Sequence, residues 1–133
     1  MLKKPADASW AKVTFGGSTG AIVQTIFTSD DSMEDICLKR YELEPNSRIE
    51  YHSHPWDHIF YGLEGSGLVY EKASKLNEDM PKQHVLNAGT ALYLPGAIYH
   101  SILNVSLLKK FSFLSIIPLE WTDEEHRIEV EEP

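Results

Sequence analysis

Four of the six histidines in this 133-residue chain lie in two short strings that could together bind a transition metal. The first string reads His-Ser-His-Pro-Trp-Asp-His and contributes His52, His54 and His58, while the second ends at His100. Imidazole is the commonest protein ligand for such ions. A lone histidine on a strand is more often a surface or core residue, so the prediction of a metal site depends on all four side chains converging.

The spacing of the first string predicts how they converge. Side chains alternate faces along a β-strand, so His52 and His54 point the same way, roughly 6–7 Å apart. Pro55 is disfavoured inside a sheet and predicts a turn, after which His58 opens an antiparallel strand and returns toward His54. His100 must then come from a remote strand that the fold brings across.

Nine segments rich in β-branched or aromatic residues, most of them bounded by turn residues, predict strands. They are residues 21–27, 36–43, 47–54, 58–63, 67–72, 83–86, 91–94, 98–104 and 107–118. No long helical periodicity competes with them, which favours an all-β fold, either a closed barrel or two packed antiparallel sheets. Residues 73–82 are predicted to form a loop. Thr122 and Glu125 fit a capping box that opens a short helix, with a solvated tail as the alternative.

Length predicts a single domain over residues 1–133, with its core at about 20–119, an N-terminal arm at 1–19 and an acidic tail at 120–133. The formal net charge of −8 argues against nucleic acid and anionic membranes as partners. The single cysteine, Cys37, excludes an internal disulfide and favours the cytoplasm.

Both histidine strings match the motifs of the cupin family, which the chain resembles over most of its length. The first motif is His-x-His, three or four residues, an acidic residue, six residues and Gly; here His58 replaces the acidic residue, and the motif ends at Gly65. The second motif is Gly, five residues, Pro-x-Gly, two residues, His, three residues and Asn. It is matched at Gly89, Pro95, His100 and Asn104, with Ala97 in place of its second glycine.

The resemblance implies a jelly-roll barrel, usually a homodimer, in which His52, His54, His58 and His100 hold one divalent ion. Within the family the chain is most similar to small single-domain cupins with an all-histidine site, among them a manganese-binding bacterial form. Manganese or iron is therefore favoured, while zinc, nickel and copper also suit imidazole. Four neutral ligands leave two open positions on a six-coordinate ion and none on a four-coordinate one.

The resemblance also places one face of the last strand toward the cavity, and strand parity extends the pocket to the histidine strands. The predicted pocket residues are Phe60, Ile102, Ser115 and Ile117. Earlier in the chain, the preferred inward set is Cys37, Lys39, Tyr41 and Leu43, with Ile36, Leu38 and Arg40 as the competing face. Lys39 and Tyr41 are the candidate catalytic residues, because a buried polar tip needs a partner that a substrate or metal-bound water can supply.

Other polar and aromatic residues receive weaker predictions. Glu50 and Asp57 are candidates for orienting the imidazoles, with a plain surface role as the alternative. An outward face, available to a second subunit, is predicted for Tyr51, Tyr61 and Tyr99.

Three functions remain open at this stage. The first is a metal-dependent oxidoreductase, dioxygenase-like, acting on a small organic molecule. The second is a lyase or isomerase that uses the ion without redox chemistry. The third is a module without enzymatic activity that binds or senses a small ligand, with the metal as a structural element.

Overall fold

A computed structural model describes residues 1–5, 10–73, 80–122 and 125, and its strands form a nearly closed antiparallel β-barrel. The strands are β1 (Trp10–Lys12), β2 (Thr19–Phe27), β3 (Ile36–His52), β4 (His58–Glu64), β5 (Ser66–Lys72), β6 (Lys82–Asn87), β7 (Ala91–Leu94), β8 (Tyr99–Asn104) and β9 (Phe111–Pro118). Two short 3₁₀ turns, η1 (Ser29–Asp31) and η2 (Leu119–Trp121), are also present. The all-β prediction is confirmed.

Strand β3 is the centre of the sheet, because it pairs with three neighbours. The hydrogen-bonded order is β6-β5-β8-β3-β9-β4-β7, and β2 also pairs with β3 while β1 pairs with β2. The sheet comes close to closing where Gly62 of β4 forms a parallel bridge to Ala88, just after β6. This arrangement surrounds an interior to which β3, β4, β8 and β9 all contribute side chains.

The structure departs from the strand prediction mainly at Pro45-Asn46, where a turn was expected between two strands. Asn46 does adopt a left-handed backbone, with φ of 54°, but β3 continues through it as one 17-residue strand. The neighbours explain the difference: β9 pairs with β3 up to Leu43, and β8 takes over from Ser47. The turn residues therefore mark a bend at which one strand changes partners. Strand β1 was not predicted.

The core confirms the preferred parity of β3, because Cys37, Lys39, Tyr41 and Leu43 are all buried. Tyr41 stacks on Phe113 with ring centroids 5.0 Å apart, and Phe111 lies beside Phe113 at 5.2 Å. These three rings belong to the main apolar core of the barrel.

Asn104, the last residue of the second motif, has a structural role. Its amide nitrogen lies within 2.8–3.1 Å of the backbone carbonyls of Leu43, Glu44 and Lys109. Its side-chain oxygen accepts from the backbone of Ser106 at 3.1 Å. One buried amide thus joins the end of β8 to the bend in β3, and so helps to fix the register that carries His52 and His100.

Among the described residues, no helix has the length and apolar character that crossing a membrane would need.

Candidate metal centre

The neighbouring strands β3 and β8, together with β4 on the far side of β9, bring the four histidines to one end of the barrel. His52 ends β3 and is paired directly with His100 of β8 across the sheet. His54 follows two residues after β3, and His58 is the first residue of β4. All four side chains are buried, with at most 8% of any residue exposed. The predicted turn at Pro55 and the arrival of His100 from a remote strand are both confirmed.

The loops that carry the two motifs are locked together. The backbone N–H of Ala97 donates to the carbonyl of His54 at 2.7 Å, and that of Gly96 donates to the Asp57 carboxylate at 2.7 Å. A side chain at Gly96 would come within 2.3 Å of the carbonyl oxygen of Pro55. Ala97, which replaces the second motif's glycine, has a left-handed backbone with φ of 67°. Glycine adopts that conformation without steric cost, which explains its place in the motif.

Three of the four imidazoles form a compact set of donor atoms. Ligand atoms of His52, His54 and His100 all lie within 4.8 Å of one another. The Nε2 atom of each is buried and has no hydrogen-bond partner among the described residues. Such orphaned buried nitrogens are costly unless something binds them.

The opposite nitrogen of each ring shows which tautomer is present. The Nδ1 atoms lie 2.9, 3.2 and 3.1 Å from the backbone carbonyls of Glu50, Trp56 and Ile98, respectively. A carbonyl can only accept, so each Nδ1 carries the proton and each Nε2 presents a lone pair. Backbone carbonyls commonly orient metal-binding imidazoles in this way. The three nitrogens can therefore bind one divalent transition-metal ion after small shifts of their side chains.

His58 borders this set but is engaged differently. Its ring stacks on that of His54, with centroids 4.3 Å apart, and lies 5.5 Å from that of His100. The indole N–H of Trp56 donates to Nε2 of His58 at 2.9 Å, so that lone pair is already used. Its Nδ1 is buried without a partner among the described residues. The structure thus groups three of the four predicted ligands, and a fourth bond from His58 stays a prediction.

The local environment keeps these imidazoles neutral. Burial, reinforced by the neighbouring rings, lowers the pKa of His54 from 6.5 to about 3. Burial also lowers the pKa of His100 to about 4 and holds the pKa values of His52 and His58 well below 6.5. Neutral imidazole is the form that binds metals, so at neutral pH no proton has to leave before an ion can bind.

The lowered pKa values predict that the metal-free protein loses stability as the pH falls from 7 to 5. An unfolded histidine takes up a proton below pH 6.5 and the buried one does not, so the unfolded state binds more protons across this interval. At pH 5, His54 and His100 should each reduce the free energy of unfolding by about 2 kcal/mol. Urea denaturation of the protein in the presence of a metal chelator, at pH 7, 6 and 5, measures this change in the free energy of unfolding. His54→Gln should make the free energy of unfolding depend less on pH. A wild-type free energy of unfolding that is independent of pH would contradict the prediction.

Two predicted roles in orienting the imidazoles are wrong. Glu50 does reach His52, but through its backbone carbonyl, while its carboxylate accepts from the backbone of Tyr51 at 3.1 Å. The cause is an irregularity in the β3–β8 pairing between Ile49 and His52, which breaks the strict alternation assumed from spacing. Asp57 accepts from Gly96 and does not contact His58 in any described hydrogen bond.

The predicted pocket residues are buried, although they do not all lie together. Phe60 packs edge-on against His58 at 5.1 Å and lies 6.5 Å from His100. Ser115 is paired with both Phe60 and Lys39, so it lies at the same level of the barrel. Ile102 belongs to the main apolar core. Ile117 packs with Cys37 and Trp56 in a second cluster.

Lys39 and Tyr41 already have a partner that sequence reasoning missed. Glu125, which is fully buried, lies with Oε2 2.9 Å from the ammonium of Lys39. It also accepts from the Tyr41 hydroxyl at 3.3 Å and lies 3.5 Å from Nε2 of His58. The sequence marks Glu125 only as a partner of Thr122 in a capping box and gives no sign of its place in the barrel, because its partners there are 67 to 86 positions away in the chain.

The C-terminal residues were expected to form either a capping box or a solvated tail. Thr122 and Glu125 have helical backbone, but the Thr122 hydroxyl donates to the carbonyl of Leu119 at 2.9 Å. The Glu125 side chain bonds to the barrel interior, so it is not available to form the capping box. The remaining tail residues, including His126, lie outside the described part of the chain.

A stack of aromatic rings joins this C-terminal segment to the histidines. Trp121 lies 5.4 Å from Trp56, whose indole stacks on His54 at 4.1 Å with an interplanar angle of 3°. On the opposite side, Phe15 packs edge-on against His52 at 4.6 Å. Phe15 and the stack of Trp56 and Trp121 thus pack around the imidazoles.

Solved structures with the same fold are similar to this chain at low sequence identity. The polyketide cyclase RemF from Streptomyces resistomycificus shares 21% identity with a TM-score of 0.73, over 90% of this chain and 80% of that one. A predicted oxalate decarboxylase from Thermotoga maritima shares 20% with a TM-score of 0.72, over 90% and 99%. KdgF from Halomonas sp. shares 14% with a TM-score of 0.65, over 87% and 92%. At these identities the likeness concerns the fold alone.

Comparison with curated proteins found no match. A family model described as a cupin domain matches residues 39–117, a span that contains both histidine strings and strands β4 to β8 in full. The match covers more than half of the chain and agrees with the barrel and with the positions of His52, His54 and His100. On this evidence the chain belongs to the cupin family.

Proposed function

We propose that this cupin is a metal-dependent enzyme, an oxidoreductase of the dioxygenase type that acts on a small organic molecule. The observation that carries the proposal is the set of three buried Nε2 atoms, on His52, His54 and His100, which face one another without partners. Each is oriented by a backbone carbonyl on the other side of its ring. A purely structural histidine would be expected to use both nitrogens.

The donor set bears on the choice of ion. Neutral imidazoles leave a divalent ion its full charge of +2, which favours anionic ligands beside it. Three or four such ligands leave a six-coordinate ion two or three positions for other molecules. When bound, manganese or iron would supply Lewis acidity and a redox centre. We propose manganese or iron because of the resemblance to a manganese-binding small cupin, while zinc, nickel and copper are ions that imidazole also accepts.

His58 is proposed as the fourth ligand. Its ring is stacked on His54 within the same buried group, and its Nδ1 has no described partner. Binding through Nε2 would require the Trp56 indole to release the lone pair that it now holds at 2.9 Å. Coordination by four histidines would thus require Trp56 to move, and this movement would alter its stacking on His54 and Trp121.

Other side chains surround the proposed metal centre and exclude most water from it. Phe60 presents its ring to His58 and His100, which excludes water from one side of the site. Lys39 and Tyr41 place an ammonium and a hydroxyl on the same side of the barrel as His58. We propose that these two groups bind the polar end of a substrate.

A test of the proposed function asks whether the loaded ion has an open position. After anaerobic loading with iron(II), nitric oxide should bind beside the histidines and give its characteristic electron paramagnetic resonance signal. His52→Ala, loaded in the same way, is the control and should lose most of that signal. A loaded wild-type protein that gives no signal would mean a closed, structural site. If the zinc-loaded protein turned over substrate as well as the iron- or manganese-loaded protein, the lyase or isomerase function would instead be favoured.

We also propose that the protein is a homodimer. Neighbouring strands β4 and β7 expose Ile59, Tyr61 and Tyr93, each with more than 40% of its surface accessible. Aromatic and aliphatic residues clustered on one face are typical of subunit contacts. Sedimentation equilibrium should give twice the chain mass of 15.1 kDa, and Tyr61→Glu should shift the protein toward monomer. A wild-type protein that stays monomeric at high concentration would refute the proposed homodimer.

A further inference from the structure

The barrel contains a buried positive charge. Lys39 is 3% exposed and projects from β3 between Cys37 and Tyr41, which are also buried. An ammonium cannot leave water at acceptable cost unless an anion and hydrogen-bond acceptors meet it. Lys39 therefore requires a negatively charged group inside the barrel.

The group that meets Lys39 comes from beyond the last strand. Glu125 places Oε2 2.9 Å from the ammonium and Oε1 3.3 Å from the Tyr41 hydroxyl, with no surface exposed. Between it and β9 lies the turn η2, whose Trp121 is half-buried and stacks on Trp56. The carboxylate thus belongs to a terminal segment, whereas Lys39 and Tyr41 belong to the central strand.

The surroundings of Lys39 hold another donor that Glu125 does not use. Ser115 is paired with Lys39 across β3 and β9, is 1% exposed, and its hydroxyl has no hydrogen-bond partner among the described residues. Buried hydroxyls normally form hydrogen bonds, so the Ser115 hydroxyl is a donor available to a ligand that enters beside Lys39. An ammonium, a phenol and a serine hydroxyl together are suited to a carboxylate.

The position of this donor set connects it to the metal centre. Oε1 of Glu125 lies 3.5 Å from Nε2 of His58, whose ring stacks on His54. An external carboxylate in the place of that of Glu125 would therefore lie beside His58. The aromatic stack from Trp121 to His54 would also be disturbed if the segment carrying Glu125 moved away.

We propose that Lys39, Tyr41 and Ser115 form a binding site for the carboxylate of an organic acid, which Glu125 occupies as an exchangeable internal ligand. The inference deepens the proposed function by naming the substrate class, and it rests on that function only for the claim of turnover. Because Glu125 is tethered, it competes at an effective concentration on the order of millimolar. Its removal should strengthen binding of an external carboxylate at least about tenfold.

The experiment uses the full-length, metal-free chain carrying Glu125→Gln and sodium propionate as the probe. Propionate should raise the melting temperature of this variant by about 5 °C or more, while the wild type changes little at the same concentration. Sodium chloride at equal ionic strength and neutral propionamide should both have little effect. Glu120→Gln alters an exposed glutamate of the same segment and should behave as wild type.

Lys39→Met combined with Glu125→Gln removes the cation, so its melting temperature should not respond to propionate. An equal response of this double variant and of Glu125→Gln, an equal effect of chloride, or no response at all would each overturn the proposal. If Glu125→Gln does not fold, hydrogen exchange of the wild type decides. Propionate up to about 1 M should then deprotect η2 (Leu119–Trp121), and unchanged protection overturns the inference. Since no metal is present, failure here leaves the metal centre untouched.

Discussion

Replacing His52 by alanine is expected to lower the affinity of the protein for a divalent transition metal by at least about a hundredfold. His52 supplies one of the three buried Nε2 lone pairs, and losing a ligand should cost more than the 10- to 100-fold typical of losing an outer partner. Its ring is buried, with 8% of the residue exposed, so truncation also removes its packing against Phe15. Competition titration of manganese(II) and zinc(II) against a chromophoric chelator measures the effect.

The matched control for this experiment is His84→Ala. His84 lies on β6, is 23% exposed in its side chain, and its Nε2 is 2.9 Å from a carboxylate oxygen of Glu71. It takes no part in the group formed by His52, His54 and His100. Affinity should remain within about twofold of wild type. Equal losses for the two variants, or no loss for His52→Ala, would remove the basis of the metal centre.

Breaking the ion pair between Lys39 and Glu125 is expected to have the largest effect on stability. Removing one partner of a buried pair leaves the other charge without compensation, which typically costs about 3–5 kcal/mol. Lys39→Met should therefore lower the free energy of unfolding by roughly that amount. Replacing both residues, with Lys39→Met and Glu125→Gln, should restore most of the loss, because no buried charge remains.

A double-mutant cycle by urea denaturation measures the coupling between the two side chains. The control cycle uses Lys110 and Glu44, an ion pair 3.4 Å apart whose side chains are 51% and 55% exposed. Exposed pairs of this kind contribute less than about 1 kcal/mol. If the buried cycle gave a coupling as small as the exposed one, Glu125 would not be bound in the barrel as the structure has it.

Part of the metal centre could be predicted from local rules, whereas His100, which comes from a remote strand, was placed there by the resemblance to the cupin family. The alternation of side chains places His52 and His54 together, and Pro55 forces the turn that returns His58. The parity of β3 correctly placed Lys39 and Tyr41 inside. These features follow from a few neighbouring residues, whose backbone preferences do not require knowledge of the rest of the fold.

The parts that could not be predicted depend on long-range pairing. The irregularity between Ile49 and His52 removed Glu50 from the histidine face, and it follows from how β8 meets β3. The bend at Asn46 stays within one strand because β9 and β8 pair with successive halves of β3. Glu125 enters the barrel from a segment that the sequence predicts to be either a short capped helix or a solvated tail. In each case the deciding contact joins residues far apart in the chain.

The engagement of His58 by Trp56 links the two proposals. If the ion draws His58 in as a fourth ligand, the Trp56 indole must give up its bond, and the stack from His54 to Trp121 is altered. The same stack borders the segment that carries Glu125. Metal binding and release of the internal carboxylate are therefore expected to be coupled, since both act on one set of packed rings.

The central claim is tested most directly by a crystal structure of the manganese-loaded protein, with anomalous diffraction data collected to locate the ion. The account predicts one peak at roughly 2 Å from Nε2 of His52, His54 and His100, and the same map shows whether His58 has turned to join them. Loaded crystals in which these three imidazoles surround no peak, or in which the ion lies elsewhere, would contradict it.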